Sequence, residues 1–531
     1  MANGTQNAVR RTPPLIGRAV SVMVLAGSLC AFGTQTAKAD AVTTWNNEML
    51  SVIRQTSALL VDGPPEVARQ IAIVGTAMFD AVNAASGSPF TPYAYAGGPV
   101  SGVSAEAAAL SAGYSAMNSI FSNAIWQNPT GSNPSLITNT ILPEISQTYN
   151  NAVNSLYTAA TGNAAATLAI TNGLSLGQAA GNSVVAARAN DGAIAAITNG
   201  LTAQMPPGSG TVPGVYVPPT ARPEMYPTWG DTVTPFGLTS PQKQQIKSSA
   251  ANTLPALNSA AYAQGLLETQ CMGFNTGVPL SGAAQSACAT AGFTGRTAAQ
   301  VDAALFWNDP GSTIQPPGHW LQITTTIMND RNLSLLDKAR LSSLLGMGLT
   351  DAGILAWDIK YDDNLWRPIT AIRNCATNTA GGTVTWNSNF VTCDTSWQSE
   401  IATPPHPDYI AGHPAFSAAA ASIIAGVLGT DDVSFCSTSD PYTNGDLGAV
   451  PGITMCFNSL SAASSGPLGS TYSRILGGIH TPWAVDDAEA IGLQIANQIL
   501  LNNDIPEPAT VALLGLSAVL LGGLRRRATR S

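Results

Sequence analysis

The chain has 531 residues, 10% of them charged and 45% hydrophobic, with a formal net charge of −9 at pH 7. That balance favours a large core beneath a sparsely charged surface. The negative sign argues against nucleic-acid binding, so any local cluster of basic residues stands against an acidic background.

In chain order, residues 1–39 read as a secretory signal. Arg10, Arg11 and Arg18 form the charged region, Ala19 to Phe32 the apolar run, and Ala37-Lys38-Ala39 a small-residue cleavage site before Asp40. Arg10-Arg11 hints at twin-arginine export, although the rest of that motif is absent. A transmembrane anchor is the competing reading, and the short apolar run counts against it. Ala-rich sequence with helix-like apolar spacing predicts helices over 46–60, 66–85, 105–123, 135–160 and 164–190. Residues 206–235 contain eight prolines and read as an extended crossing segment. Helices are predicted again over 241–249, 260–269, 297–307, 320–330, 334–360, 414–428 and 484–502. Thr383 to Thr392 is the one plausible hairpin, and 429–459 reads as a Gly/Asp/Ser-rich loop. The expected class is all-α, built of helical bundles, with an N-terminal helical part over 40–345 and a site-bearing part over 346–503.

Cys30 lies in the signal, which leaves Cys271, Cys288, Cys375, Cys393, Cys436 and Cys456. Six cysteines allow fifteen pairings. Joining neighbours in sequence gives 271–288, 375–393 and 436–456. There is no Cys-x2-Cys, so no zinc site is expected.

Three stretches carry the chemistry. In Ser473-Arg474-Ile475-Leu476-Gly477-Gly478-Ile479-His480, a rigid fork of donors suited to a tetrahedral oxyanion stands six residues from a histidine able to ligate a metal or attack phosphorus. The glycines between them would let backbone approach a bound anion. In Lys360 to Pro368, Lys360 and Arg367 are seven apart, which on a helix puts both on one face about 10 Å apart along the axis. Pro368 predicts that the helix ends at Arg367. In Pro404 to Pro414, Ala411-Gly412-His413 precedes a helix whose first amides point outward, a ready anion site. Three of the four histidines lie in these stretches.

Lys-x6-Arg-Pro, then Ala-Gly-His, then Ser-Arg-x5-His resembles the vanadium-dependent haloperoxidases, which share their site with the type-2 phosphatidic acid phosphatase superfamily. Phe306-Trp-Asn-Asp309, Pro316-Pro-Gly-His-Trp320 and Ala77-Met-Phe-Asp-Ala-Val82 are similar to segments of bacterial members. The resemblance implies a vanadate cofactor with Lys360, Arg367, Arg474 and the Gly412 amide on its oxygens and His480 bonded to vanadium. It implies His413 as acid/base group and Lys360 as the group polarising peroxide. The reaction implied is oxidation of halide by hydrogen peroxide to hypohalous acid, which halogenates a small organic acceptor. His406, seven before His413, matches a position where bromoperoxidases tend to have His, which favours bromide or iodide over chloride. Trp357 matches an aromatic pocket position, Asp309 a partner of Arg474, and His319 reads as structural. Ala411 stands where the family has Ser, removing one hydroxyl from the anion's donors. Ala484 stands where many members carry an Asp that orients the final His; Asp486 and Asp487 are the nearby acids, and a shifted turn would be needed to bring one to His480. A secreted acid phosphatase with a phosphohistidine intermediate at His480, and a catalytically silent surface or matrix protein, are the alternative readings.

At the other end, Ile505-Pro506-Glu507-Pro508, an apolar run from Ala509 to Leu524 and Arg525-Arg526-Arg527 resemble the PEP-CTERM sorting signal. That implies a transmembrane helix at the terminus, cleavage by an exosortase and release to the cell surface or matrix. A plain membrane anchor is the alternative, and a homo-oligomer is left open.

Overall fold

The computed structural model describes residues 40–127, 133–202, 212–217, 225–250, 254–374, 393–444 and 448–503. Within them the architecture is helical, as the Ala-rich pattern predicts. The helices begin where capping chemistry allows. Asp40, Ser104, Asn163 and Ser334 each accept a backbone N–H of the first turn, opening Ala41–Thr56, Ala105–Phe121, Ala164–Arg188 and Leu335–Asp363. Pro64 and Pro65 open Pro64–Ala85.

The organising element is the helix Leu335–Asp363. Every residue from Leu341 to Lys360 is buried, as expected of a helix with packing partners all round. Pro64–Ala85 lies along it, with Gly412–Leu428 and Pro482–Asn502 against other faces. The approach to Pro64–Ala85 is close because glycines face backbone. A Cβ on Gly75 would sit 2.7 Å from the Ser342 carbonyl oxygen, and one on Gly346 would sit 2.5 Å from the Ala72 Cα.

Several expectations change. The helix over 135–160 is broken into Pro134–Leu136, a π turn over Ile137–Ile141, and Leu142–Ala159. Pro143 has no N–H to donate to the preceding turn, so the ladder is interrupted there. The loop expected over 429–459 contains two antiparallel pairs, Phe435–Thr438 with Thr454–Phe457 and Tyr442–Thr443 with Ala449–Val450. The Cys436–Cys456 disulfide ties the first pair across directly opposed residues, so a short strand that composition reads as loop is stapled into a ribbon. The hairpin expected at 383–392 lies outside the described residues. The described parts of the proline-rich stretch do cross the chain: Val215 bridges Leu365, and the Met225 N–H donates to the Pro405 carbonyl.

Cys271–Cys288 is also formed. Cys393 is disulfide-bonded, while Cys375 lies outside the described residues. Among the described residues no helix is long and apolar enough to cross a membrane. Residues 1–39 and the apolar run after Pro508 lie outside them.

The N-terminal half carries a buried charge cluster with a consequence for stability. Arg69 pairs with Glu66 at 3.2 Å and Asp191 at 2.7 Å, and Arg188 also reaches Asp191. Asp62, just ahead of the helix Pro64–Ala85, lies close enough to Glu66 to repel its charge and accepts from the Thr56 hydroxyl and the Gln70 amide. Three carboxyls face two guanidiniums. Burial pushes the Glu66 carboxyl up to about 8 and the Asp62 carboxyl up to about 7. The folded chain therefore keeps protons that the unfolded chain releases above its ordinary carboxyl pKa, and stability falls as pH rises towards 8. Glu66→Gln is expected to match wild type in urea unfolding at pH 5 and to exceed it by about 1–2 kcal/mol at pH 8.5.

Candidate active site

Lys360 is the last buried residue of the central helix. Its ammonium donates to the Pro407 carbonyl at 2.8 Å and the Asp408 carbonyl at 3.1 Å. Three donors and two acceptors leave one N–H for a ligand.

The helix runs past the predicted 334–360 to Asp363 but stops short of Arg367, where Pro368 was expected to end it, with Asn364 in the left-handed region at φ 44°. Arg367 lies outside it, ahead of a new helix Pro368–Asn374. Lys360 and Arg367 therefore do not converge as two turns of one helix face. The chain turns at Asn364, and the proline after Arg367 disfavours helix at that residue. Placed in this way, the Arg367 fork joins two other segments. It donates to the His406 carbonyl at 2.6 Å, the Ile479 carbonyl at 2.8 Å, the His406 Nδ1 at 2.9 Å and the His480 Nε2 at 3.1 Å.

Arg474 comes from the helix Ser470–Leu476. It donates to the Trp307 carbonyl at 2.5 Å and the Ser473 hydroxyl at 3.0 Å, and its Nη1 lies 3.4 Å from His413 Nε2. The glycines after it do not line an anion path. Gly478, at φ 76°, packs its backbone on Gly273, where a Cβ would meet the Gly273 carbonyl oxygen, and Gly477 packs on Ile401. Their role is close packing that sets where His480 emerges.

His480 is oriented by an acid that the sequence reading missed. Asp408 Oδ1 lies 2.6 Å from His480 Nδ1, and its Oδ2 accepts from the Thr481 hydroxyl at 2.8 Å. The expected acids do not do this. Asp487 accepts from the Tyr409 hydroxyl at 3.0 Å, and Ala484 uses its carbonyl to hold the Ala411 N–H at 2.9 Å. With Nδ1–H on the carboxylate, the lone pair of His480 is on Nε2, facing Arg367. The available signal was Asp408 itself, the one acid between His406 and His413. Spacing along a helix could not reveal it, because the contact joins residues 72 apart on different segments.

His413 sits at the second position of the helix Gly412–Leu428, half-buried, with Nε2 3.3 Å from the Asn308 carbonyl. Ala411 occupies the N-cap without a side-chain bond, so the Gly412 amide has no protein acceptor among the described residues. Gly412 is needed for packing, since a Cβ there would press on the Trp357 ring at 3.2 Å. The Trp357 ring lies 5.0 Å from His406 and 5.9 Å from the Lys360 ammonium, with its N–H on the Met225 carbonyl. Asp309 is not paired with Arg474 as the resemblance implies; its carboxylate takes His319 Nδ1 at 3.0 Å.

Lys360, Arg367, Arg474 and His480 are all at most 1% exposed. Burial, then Arg367, holds Lys360 far below the usual lysine range. Burial pushes Arg474 down to about 10. Burial and the neighbouring cations push His480, His406 and His413 well below the usual imidazole range, so these rings stand neutral near pH 7. Burial raises Asp408 to about 6, opposed by Arg367. Buried cations in excess of carboxylate are costly unless an anion joins them. Among the described residues, no group of three or more His, Cys, Asp or Glu is arranged to hold a metal cation. The arrangement gathers three buried basic side chains and a histidine with one unprotonated ring nitrogen at one place on a helical bundle.

Known proteins match part of the sequence and the fold. Residues 340–503 match the VCPO second helical-bundle domain, and residues 504–527 match the PEP-CTERM protein-sorting motif. The vanadium chloroperoxidase of Curvularia inaequalis is 28% identical over 144 residues, 24% of this chain and 22% of that protein, so the match spans about a fifth of the relative's length. A bacterial vanadium-dependent iodoperoxidase superposes with a TM-score of 0.62 at 18% identity, covering 87% of this chain and 96% of that one. An apo bacterial vanadium-dependent chloroperoxidase does so with a TM-score of 0.52 at 14% identity, covering 83% and 94%. The chain has the helical fold of these vanadium haloperoxidases, residues 340–503 match their second helical-bundle domain, and the PEP-CTERM motif marks it as an exported protein with a C-terminal sorting signal.

Proposed function

We propose that the chain is a vanadate-dependent haloperoxidase that oxidises halide with hydrogen peroxide to hypohalous acid. The observation that carries this reading is His480, held at Nδ1 by Asp408 so that its unprotonated Nε2 faces Arg367 among three buried basic side chains. These residues fit a vanadate: Nε2 of His480 would ligate it, and Lys360, Arg367, Arg474 and the Gly412 amide would hold its oxygens. Bound there, vanadate supplies Lewis-acid activation of peroxide.

The chain's own groups do the rest. The free N–H of Lys360 polarises an oxygen at the site. His413, held neutral beside Arg474, takes or returns a proton at Nε2. Water is limited because the cations are buried and only His413 is half open. Arg367 engages Nδ1 of His406 and so leaves the proton of that ring, which lies 5.0 Å from the Trp357 ring, on Nε2 as a donor for halide; bromide or iodide is favoured over chloride. Hypohalous acid then reaches a small organic acceptor. Exosortase cleavage at the Pro-Glu-Pro segment would deliver the protein to the cell surface or matrix.

A secreted acid phosphatase is the second reading, and one observation favours it. The Asp408–His480 pair makes His480 a competent nucleophile, since Asp408 orients the ring that Ala484 cannot.

The test is the chain from Asp40 to Asp504 loaded with orthovanadate and assayed for bromide- and iodide-dependent halogenation, with p-nitrophenyl phosphate hydrolysis measured without vanadate. Vanadate-dependent halogenation is expected, falling at least about 1,000-fold in His480→Ala. Hydrolysis alone, inhibited by vanadate, would move the protein to the phosphatase reading.

A further inference from the structure

Met225 lies in the proline-rich crossing segment and stands beside His406. Its N–H donates to the carbonyl of Pro405, one residue before His406. Its carbonyl accepts from the Trp357 indole N–H at 2.9 Å and from the Tyr361 hydroxyl at 2.8 Å. The indole therefore runs from Met225 at its N–H edge to Gly412 at its benzo edge, where a Cβ would sit 3.2 Å from the ring. The centre of the indole lies 5.0 Å from that of the His406 ring. One ring thus stands between Met225 and the imidazole assigned to halide.

The side chain is placed as closely as the main chain. A Cβ on Gly63 would sit 3.1 Å from the Met225 sulfur and 2.9 Å from the Tyr226 ring, and the Gly63 N–H donates to the Tyr226 hydroxyl. The sulfur therefore lies against the start of the helix Pro64–Ala85. Met225 is half-buried. Among the described residues the one other half-buried methionine is Met455, on the ribbon strand Thr454–Phe457, and the rest are buried. A thioether is soft and polarisable, carries no proton to lose, and is converted by oxidants to the sulfoxide.

We infer that Met225 is a modification site: hypohalous acid formed beside His406 oxidises its thioether to the sulfoxide. In net terms an S–O bond forms and the O–X bond breaks. The sulfur is oxidised by two electrons, the halogen leaves as halide with the electron pair, and the proton of the acid goes to water. The oxidant is the product of the proposed reaction, so the inference rests on the haloperoxidase reading above and deepens it. Met225 takes no part in forming that product; its place beside Trp357 exposes it to oxidant that has not yet mixed with solvent.

The experiment runs the Asp40–Asp504 chain, loaded with orthovanadate, on bromide and hydrogen peroxide. Excess free methionine is present to consume hypobromous acid in solution. Halogenation is followed in a parallel sample without free methionine, and sulfoxide at each methionine is read by peptide mass spectrometry. Met225 is expected to be oxidised at least about tenfold more than Met455 during turnover. Hypobromous acid added from outside, with the same free methionine, is expected to oxidise the two within about threefold of each other, since both are half-buried. Halogenation that leaves Met225 unoxidised, or no more oxidised than Met455, overturns the inference. The same preference for Met225 with added hypobromous acid also overturns it, because the place where the oxidant forms would then not matter. Met225 sulfoxide formed equally without bromide overturns the route through hypohalous acid. No halogenation at all overturns the haloperoxidase reading itself, and this inference with it.

Discussion

Asp408→Asn is expected to lower the ratio of orthovanadate to phosphate affinity about 10- to 100-fold, the usual cost of losing an outer partner of a metal-bound imidazole. Two effects of the substitution oppose each other. Removing a buried negative charge leaves Lys360, Arg367 and Arg474 with less to balance them, which attracts any anion more strongly. Removing the carboxylate from His480 Nδ1, now 2.6 Å away, makes Nε2 a weaker base and loosens the ring. The first effect is common to both anions and cancels in the ratio. The second acts on the anion bonded to the imidazole and hardly on one held by charge alone. Calorimetry with both anions on the wild type and the variant measures it. A ratio that does not move would mean that His480 is not a ligand, whatever its position.

Arg367→Lys is expected to weaken anion binding at least about 100-fold and to destabilise the fold by roughly 3 kcal/mol. Arg367 is 1% exposed, and its guanidinium donates to two carbonyls and two imidazole nitrogens on two separate segments. One ammonium cannot reach all four. At least two buried acceptors would lose their donor, each at about 1–3 kcal/mol, and the 404–408 and 479–480 segments would lose the clamp between them. Urea unfolding with anion titration separates the two losses. A variant with wild-type stability and affinity would show that the clamp is incidental and that Lys360 and Arg474 suffice.

Much of the site was legible in the sequence because its chemistry is carried by residue types that are scarce here. Only four histidines occur, and three of them stand with Lys360, Arg367 and Arg474 in short stretches of fixed spacing. The structure ties Arg367 to His406 and His480, sets Lys360 on the Pro407 carbonyl next to His406, and places Arg474 beside the half-buried His413. The helices were legible for a similar reason: long Ala-rich stretches flanked by capping residues leave the chain few alternatives. The ribbon over 435–457 was not, since its strands are short and two residues opposite each other are held by a disulfide that periodicity cannot reveal.

What the sequence by itself determined is the inventory: cations, imidazoles and an outward-facing helix start, with a sorting motif beyond them. The tertiary structure alone decided how charges are allotted among them. Asp408 serves His480 across 72 residues because a chain turn at Asn364 and a glycine contact at Gly478 place those segments side by side. Asp309 serves His319 and not Arg474 because the helix Gln315–Asp330 points that ring back into the loop. Pairing of this kind depends on angles and distances between distant segments, and no local pattern of residues encodes it.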